Sequence, residues 1–208
     1  GVIYRHIVLT VPEKIRKTFY NHAEELLGKL MWSGVRCLDD FFSRVSRKEI
    51  RGGYIVVLQT HGRNGQYNPH VHIIATSGGM DKSTGEWEHL EYLPYQMLHK
   101  KWQWYLLEMV REEIDTEEIE GLVDSCYRGY PKVFVANVQK GKVPGRYESL
   151  SRYLAKYVVS PPISIRRIDG YDGETVRYHY RSHKTEQVEE ERAAEEGIAS
   201  TDLETLAR

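Results

Sequence analysis

An α+β fold, with helices packed against an antiparallel sheet, is the fold class that the sequence predicts. Three observations support this prediction. Short runs of β-branched and alternating apolar residues occur in pairs, which is typical of β-hairpins. Longer segments have apolar residues three or four positions apart, which indicates amphipathic helices. Strands and helices do not alternate regularly along the chain, so a parallel sheet built from βαβ units is not expected.

The first half of the chain is predicted to contain one strand, two helices and a hairpin. Pro12 ends the first alternating run, and Trp32-Ser-Gly is predicted to end the first helix. An Asn-Gly pair at Asn64 marks a tight turn between two β-branched runs, which makes those runs a hairpin. In chain order the elements are a strand at 3–11, helices at 13–31 and through 41–45, and hairpin strands at 54–60 and 69–76.

The second half of the chain is predicted to contain two further helices, a strand and a second hairpin. Apolar residues at helical spacing indicate the helices, and Pro161-Pro162 is predicted to stop the later one. A turn rich in Asp and Gly separates the strands of the hairpin. In chain order the elements are a polar excursion at 77–79 and 81–88, a helix at 94–114, a strand at 133–138, a helix at 147–159, and hairpin strands at 163–168 and 175–180.

The length and composition suit one domain with an appendage. A chain of 208 residues with 40% apolar residues can build one ordinary core, and we expect it at residues 1–184, followed by an acidic C-terminal helix or tail at 185–208. Gly1 is not an initiator Met and a strand follows at once, so the domain is expected to come from a longer protein. Cys37 and Cys126 lie far apart, which favours buried thiols in a reducing, cytoplasmic setting. No apolar run approaches the ~20 residues of a membrane span.

The charge of the chain is unevenly distributed. The net charge is −1, but residues 185–208 contain eight acidic and two basic residues, which leaves 27 basic and 22 acidic residues before them. Residues 131–184 are the most basic part, with eleven basic residues against four acidic ones. A localised basic surface is what a phosphate backbone requires, although a solvated mixed surface is the alternative on charge alone.

A pair of histidines in a predicted strand is the first candidate site. His70 and His72 are two residues apart, so their side chains point to the same face. Two neutral imidazoles can hold one divalent ion if a further ligand is supplied, and the neighbouring strand offers Gln59 or His61, which are expected to share a face. Two nitrogens, an oxygen and positions for water suit Mg²⁺ or Mn²⁺ near a phosphate. The alternative is a structural pair.

Two tyrosines one helical turn apart form the second candidate site. In Arg152-Tyr-Leu-Ala-Lys-Tyr157, Tyr153 and Tyr157 are neighbours on one helix face and Lys156 lies beside them. At about 100° per residue, Tyr153 is further from the apolar stripe than Tyr157, so Tyr153 is the better candidate nucleophile. A phenol ionises near pH ~10, so attack at neutral pH needs a cation such as Lys156 or a metal. With 15 tyrosines in the chain, a chance pair is the alternative.

Taken together, the two motifs resemble the HUH endonuclease superfamily. The sequence around them is similar to its two-tyrosine branch, the rolling-circle transposases of the bacterial insertion-sequence-91 type. Four stretches carry the resemblance, and they span most of residues 3–183. They are Tyr4-Arg-His-Ile-Val-Leu-Thr-Val-Pro12, Val57-Leu-Gln-Thr-His-Gly62, Asn68-Pro-His-Val-His-Ile-Ile-Ala-Thr-Ser-Gly-Gly79 and Tyr153-Leu-Ala-Lys-Tyr-Val-Val-Ser-Pro-Pro-Ile-Ser164.

The resemblance implies a fold, a substrate and a role for each candidate residue. The fold is a ferredoxin-like antiparallel sheet with the histidine pair on a central strand. His70 and His72 bind the metal, Tyr153 attacks single-stranded DNA to leave a 5′-phosphotyrosine and a free 3′-OH, and Tyr157 serves the second strand transfer. The DNA partner is a transposon-end sequence or hairpin. A covalent intermediate conserves the energy of the phosphodiester bond, so rejoining needs no ATP.

The sequence also departs from this family and leaves alternatives open. Such proteins often have His where Gln59 stands, so the third ligand is either Gln59 or His61. Full-length relatives also carry an N-terminal cysteine-rich zinc-binding module that this sequence does not include. His6 could face the site from the first strand, but a hydrogen-bonded structural histidine is the preferred interpretation. A rolling-circle replication initiator or a relaxase shares the chemistry, and a non-catalytic DNA-binding module is a further alternative. A histidine-triad nucleotide hydrolase is disfavoured because position 74 is Ile.

Overall fold

The computed structural model describes residues 2–62, 65–129, 134–138, 147–158, 165–173, 175–181 and 196–202. Within them the chain forms ten strands and five α-helices. In order these are β1 (Tyr4–Thr10), α1 (Glu13–Asn21), α2 (Ala23–Ser46), β2 (Ile50–Arg51), β3 (Tyr54–His61), β4 (Tyr67–Thr76), β5 (Gly78–Asp81), β6 (Trp87–His89), α3 (Tyr95–Glu113), α4 (Glu117–Gly129), β7 (Ala136–Val138), α5 (Tyr147–Val158), β8 (Ile168–Tyr171), β9 (Thr175–Arg181) and β10 (Glu196–Asp202).

A four-stranded antiparallel sheet organises the first two thirds of the chain. Its strand order is β3-β4-β1-β7, and every neighbouring pair is antiparallel. Counted within this sheet, the chain runs strand, helices, strand, strand, helices, strand, which is the ferredoxin-like arrangement. The predicted α+β class with an antiparallel sheet and flanking helices is therefore confirmed, and β4 is a central strand of the sheet.

The two faces of this sheet have different chemistry. Because side chains alternate along a strand, the odd-numbered residues of β1 and β4 share one face, and those in the middle of both strands are fully buried beneath the helices α1 and α2. They include Ile7, Leu9, Val71, Ile73 and Ala75. The even-numbered residues of the same strands point to the opposite face and include the histidines described below. One face of the sheet is thus committed to the core, and the other carries polar groups.

The long helix α2 corrects one prediction. The helix predicted at 13–31 is broken at His22, between α1 and α2, whereas α2 runs through Trp32-Ser-Gly instead of ending there. Ser33 and Gly34 are buried, and a Cβ built on Gly34 would lie 3.0 Å from the Ile73 side chain. The glycine therefore lets the helix approach the sheet closely. Burial of the following apolar turns outweighs the cost of a helical glycine, about 1 kcal/mol.

Four elements of the central region, β2, β5, β6 and α4, were not predicted. The polar excursion expected at 77–79 and 81–88 overlaps the strands β5 and β6, which form a three-stranded sheet with β2. Its turn depends on Asp81, whose carboxylate accepts hydrogen bonds from the backbone N–H of Ser83 at 2.8 Å and from the Ser83 hydroxyl at 2.6 Å. The helix α4 buries Ile119, Val123 and Cys126, which are spaced as one helical face. The predicted helix at 94–114 is α3, with nearly the same bounds.

The C-terminal region forms a separate three-stranded sheet of order β10-β9-β8. The hairpin is present, but its first strand was wrongly placed: a 3₁₀ turn occupies Ile165–Arg167, and β8 begins at Ile168. Of the segment predicted as an acidic helix or tail at 185–208, the described residues Glu196–Asp202 are a strand that pairs with β9. Residues 182–195 and 203–208 lie outside the described residues.

The hairpin of β3 and β4 is confirmed and contacts this C-terminal sheet. Gly65 at its tip has a positive φ of 72°, and a Cβ there would lie 1.9 Å from the hydroxyl of Tyr178 on β9. Cys37 and Cys126 are buried free thiols, as predicted. The predicted strand at 133–138 is shorter, at Ala136–Val138, while Lys132 and Val133 lie outside the described residues. None of the described helices is long and apolar enough to cross a membrane.

Candidate active site

The histidine pair lies on the polar face of the sheet, on the central strand β4. His70 is opposite Gln59 of β3 and Thr10 of β1, and His72 is one pleat further along. The two rings lie 4.9 Å apart between centroids, at an interplanar angle of 67°. The predicted sharing of a face is therefore present, and the two imidazoles are close enough to act on one group.

Both histidines are held in the neutral form that binds metals. Burial lowers the pKa of His70, against a smaller opposing effect of its hydrogen bond to the Asn68 carbonyl. Burial also lowers the pKa of His72, to about 3, with further contributions from the neighbouring His70 and His6. Because a carbonyl only accepts, His70 Nδ1–H donates to the Asn68 oxygen at 2.7 Å. The proton of the neutral ring is thereby placed on Nδ1, and Nε2 keeps its lone pair.

Gln59 is the neighbouring residue that the structure places against this pair. Its Oε1 lies 3.1 Å from His72 Nε2. Adjacent ligand atoms of an octahedral ion with metal–ligand distances of about 2.1 Å are about 3.0 Å apart. Among the residues that the structure describes, no group of three or more His, Cys, Asp or Glu side chains is arranged to hold a metal ion. His70, His72 and Gln59 together offer two imidazole nitrogens and one amide oxygen, a donor set whose chemistry is compatible with a divalent ion.

His61, the alternative third ligand, lies on the other side of the strand. The expectation that Gln59 and His61 share a face is wrong: Gln59 contacts His72, whereas His61 packs against Tyr67, and the β3–β4 register shifts between these two positions. At this shift two residues of β4, Asn68 and Pro69, lie opposite the single residue Thr60 of β3, so the extra residue of the bulge is on β4. His61 is buried and packs edge-on against Tyr67, with ring centroids 5.8 Å apart, and the Tyr67 hydroxyl donates to the Phe19 carbonyl of α1.

His6 extends the cluster from the sheet to the tyrosine helix. It is only 1% exposed, and its Nε2 lies 2.9 Å from His72 Nδ1. Its Nδ1 lies 2.7 Å from the hydroxyl of Tyr153 on α5. Sequence reasoning preferred a structural role for His6 and missed this bridge. The available signal was the pairing of β1 with β4, which places His6 opposite Ile74 and hence on the face of the histidine pair.

Of the tyrosine helix, the structure describes Tyr153 and the backbone around it. The helix is predicted at 147–159 and observed at Tyr147–Val158. The half-buried Tyr153 reaches the histidine cluster, and the exposed Arg152 precedes it. The side chains of Lys156 and Tyr157 lie outside the described residues, as do many of the basic side chains predicted to form a surface within 131–184.

The assembled geometry is a continuous chain of polar contacts. It runs from the Tyr153 hydroxyl through His6 and His72 to Gln59, with successive distances of 2.7, 2.9 and 3.1 Å. His70 flanks it on the same strand. A potential nucleophile and a potential ligand set for a divalent ion thus lie in one cluster on one face of the sheet, which is an arrangement capable of phosphoryl transfer.

Comparison with known proteins identifies the family. The profile of the family Y2_Tnp, described as "Putative transposase", matches residues 53–199. The chain is also 26% identical over 202 residues to the transposase for insertion sequence element IS801 of Pseudomonas savastanoi pv. phaseolicola, a match that covers 90% of this chain and 47% of that protein. The chain therefore spans about half the length of this curated relative. No solved structure gives a significant match. The matched profile covers more than half of the chain, and the chain belongs to the Y2_Tnp family of transposases.

Proposed function

We propose that this domain nicks single-stranded DNA and transfers the cut strand through a covalent 5′-phosphotyrosine, as part of rolling-circle DNA transposition. The observation that carries the proposal is the contact between the Tyr153 hydroxyl and His6, which in turn contacts His72. This contact brings the candidate nucleophile to the candidate metal ligands from elements 147 positions apart in the chain. A chance pair of tyrosines would have no reason to lie there.

The first step is an attack by the Tyr153 oxygen on a DNA phosphorus. A bond forms between the phenolic oxygen and phosphorus, and the bond between phosphorus and the 3′ oxygen of the preceding nucleotide breaks. The proton lost by the phenol is balanced by the proton gained by that 3′ oxygen, so the products are a 5′-phosphotyrosine and a free 3′-OH. In the reverse sense, a 3′-OH attacks the phosphotyrosine and rejoins the strand, and no external energy source is required.

The residues around Tyr153 would position the scissile phosphate and balance its negative charge. His70, His72 and Gln59 would hold Mg²⁺ or Mn²⁺, which when bound polarises the scissile phosphate and screens its charge. Tyr157, one turn further along α5, would act in the second strand transfer, and Lys156 would favour a phenolate or contact the phosphate. Arg152, which is exposed and precedes Tyr153, would contact the DNA backbone there.

The relative supports the biological setting of this proposal. A protein named as the transposase of an insertion sequence matches nearly the whole of this chain, so a DNA-strand-transfer reaction is the chemistry that the site would serve. Single-stranded DNA from a transposon end, or a hairpin formed by it, is the substrate we propose. An unpaired strand lets the scissile phosphate approach Tyr153 without disruption of a duplex.

A covalent-adduct assay tests the proposal. The purified chain would be incubated with labelled single-stranded oligonucleotides and Mn²⁺, and the products separated on a denaturing gel. We expect a labelled band at the mass of protein plus DNA. EDTA should abolish this band because it removes the metal, and Tyr153→Phe should abolish it because it removes the attacking oxygen.

Two further variants make the assay specific. Tyr92→Phe removes the hydroxyl of a tyrosine that is 72% exposed and precedes α3, and it should form the adduct at the wild-type rate. Tyr157→Phe should keep the first adduct but lose strand transfer to a second oligonucleotide. Binding of DNA without metal dependence and without any adduct would instead favour a non-catalytic DNA-binding module.

A further inference from the structure

His6 is the only described residue that contacts both Tyr153 and His72 through ring nitrogens, and its position is unusual for a structural histidine. The side chain is 1% exposed, and each of its two nitrogens faces a functional partner instead of a backbone group. Its ring is tilted by 37° against that of His72 and stands edge-on to that of Tyr153, at 89°. These contacts connect a candidate metal ligand to the candidate nucleophile.

The donor and the acceptor of each hydrogen bond from Gln59 through His72 and His6 to Tyr153 follow from the chemistry of the Gln59 oxygen. The Gln59 oxygen can only accept, so His72 donates through Nε2–H, and a neutral His72 then has a lone pair on Nδ1. That lone pair requires a donor, so His6 carries its proton on Nε2 and has a lone pair on Nδ1. The Tyr153 hydroxyl therefore donates its proton to His6 Nδ1.

The hydrogen bonds that link His72, His6 and Tyr153 must reverse their donors and acceptors once His72 Nε2 acts as a metal ligand. The proton of a neutral His72 is then on Nδ1 and is donated to His6 Nε2. His6 consequently carries its proton on Nδ1 and donates it to the Tyr153 oxygen. That oxygen changes from a donor to an acceptor, and an N–H donor stabilises the negative charge that an attacking oxygen carries.

We propose that His6 is a positioning residue that couples the ligand state of His72 to the hydrogen bonding of Tyr153. When His72 binds a metal through Nε2, His6 changes tautomer and holds the Tyr153 oxygen as a hydrogen-bond acceptor, oriented for attack. This role rests on the proposed function, because it requires the metal site and the nucleophile assigned above. It adds a residue from β1 to a site otherwise built from β3, β4 and α5.

The direct test is the tautomer of His6, read by long-range ¹H–¹⁵N NMR of the histidine-labelled full chain without DNA. Before metal addition, His6 is expected as the Nε2–H form. On titration with Mg²⁺, which is diamagnetic, it is expected to change to the Nδ1–H form in parallel with the changes at His70 and His72. Assignment of the His6 signals comes from their loss in His6→Gln.

The outcomes separate the two proposals. If His70 and His72 respond to Mg²⁺ while His6 keeps the Nε2–H form, the metal site stands and the coupling through His6 is overturned. If no histidine responds to Mg²⁺ at any concentration, the metal site itself is overturned and the coupling with it. A change of His6 that follows the other two supports the coupling and does not depend on finding the right DNA substrate.

A kinetic test distinguishes positioning from a structural role. The amide nitrogen of Asn can occupy the place of Nδ1 as a donor, and the amide oxygen of Gln can occupy the place of Nε2 as an acceptor. His6→Asn should therefore keep the contact to Tyr153 and weaken Mn²⁺ binding, whereas His6→Gln should keep Mn²⁺ affinity and lose the contact to Tyr153.

Because each variant keeps only one contact, both should slow adduct formation at saturating Mn²⁺ by about 10- to 100-fold. Melting followed by circular dichroism shows whether the variants are folded. Folded variants with the wild-type rate and the wild-type Mn²⁺ affinity would overturn the proposal.

Discussion

At the scale of single residues, His72 contacts two other residues of the candidate site at once. Its ring nitrogens face His6 and Gln59, and burial together with the nearby His70 and His6 lowers its pKa to about 3. A histidine in this setting remains neutral through the physiological range of pH, which is the state a metal ligand needs. The pair His70 and His72 could be found from the sequence because spacing alone places both on one face.

The third ligand gives a residue-scale prediction. Gln59→Ala removes the only oxygen next to His72 Nε2 that the described residues show, and it should weaken Mn²⁺ binding about tenfold or more. Gln59→Glu should strengthen Mn²⁺ binding, because a charged oxygen replaces a neutral one at the same position. Both affinities can be measured by electron paramagnetic resonance of free Mn²⁺.

His61→Gln is the matched control for this prediction. His61 lies beyond the bulge, against Tyr67, so its substitution should leave Mn²⁺ affinity at the wild-type value. If His61→Gln weakened Mn²⁺ binding as strongly as Gln59→Ala, the assignment of the third ligand to Gln59 would be wrong.

At the scale of secondary-structure elements, the sequence was most informative where local chemistry decides the outcome. The hairpin of β3 and β4 follows from its Asn-Gly turn and its β-branched strands, and α3 follows from its apolar spacing. The bulge was not predicted, although its extra residue lies on β4 at Asn68-Pro69, where a proline within a strand is a signal for a bulge. It is nevertheless the feature that separates the two candidate ligands.

The course of α2 shows the complementary limit. Gly34 was interpreted as a helix stop, which is its usual local meaning. Only the tertiary contact with Leu9 and Ile73 shows that a small residue is needed there for the helix to lie close to the sheet. The same limit applies to His6, whose role depends on the pairing of distant segments and is not visible from spacing along the chain.

Gly34 therefore carries an element-scale prediction. Gly34→Val places a branched side chain where even a Cβ lies 3.0 Å from Ile73 and 3.3 Å from Leu9, and it should lower the free energy of unfolding by roughly 1–3 kcal/mol. Gly28 lies in the same helix with no heavy atom within 4 Å of a built Cβ. Gly28→Val should change the free energy of unfolding by less than about 0.5 kcal/mol. Urea denaturation measures both, and equal losses would contradict the close packing.

The turn between β5 and β6 gives a prediction on pH. Hydrogen bonds from Ser83, and a smaller one from Thr84, lower the pKa of Asp81 below its ordinary value of 3.8. A carboxyl group with a lowered folded-state pKa contributes its stability fully above pH 3.8 and loses it as the pH falls through the folded-state value. Asp81→Asn keeps the acceptor oxygen but removes the charge.

We expect Asp81→Asn to melt at a lower temperature than the wild type at pH 7, and the difference to narrow as the pH falls below 3.8. Thermal melts at several pH values measure this difference. Glu112→Gln, at an exposed position of α3, provides the control for a general effect of charge removal. A difference that stays constant down to pH 3 would contradict the role of the Asp81 carboxylate.

At the scale of the whole molecule, the fold explains how distant segments assemble one site. The ferredoxin-like order brings β1 and β4 side by side, so His6 and the histidine pair meet on the face opposite the helical core. The helix α5 then brings Tyr153 to that face. The apolar face of the sheet forms the core, and the polar face carries the histidines of the candidate site. The chain spans about half the length of the curated relative that it matches.

The tyrosine that becomes joined to DNA, which we propose is Tyr153, can be identified directly from tryptic peptides. Trypsin cuts after Arg152, Lys156 and Arg166, so Tyr153 and Tyr157 fall in different peptides, residues 153–156 and 157–166. Adducts formed with Mn²⁺ would be digested with trypsin and a nuclease, and the peptides analysed by mass spectrometry. We predict that the 5′-phosphonucleotide is attached to the peptide 153–156 in the first adduct. Attachment only to the peptide 157–166, or to a tyrosine elsewhere in the chain, would contradict the assignment of Tyr153 as the first nucleophile.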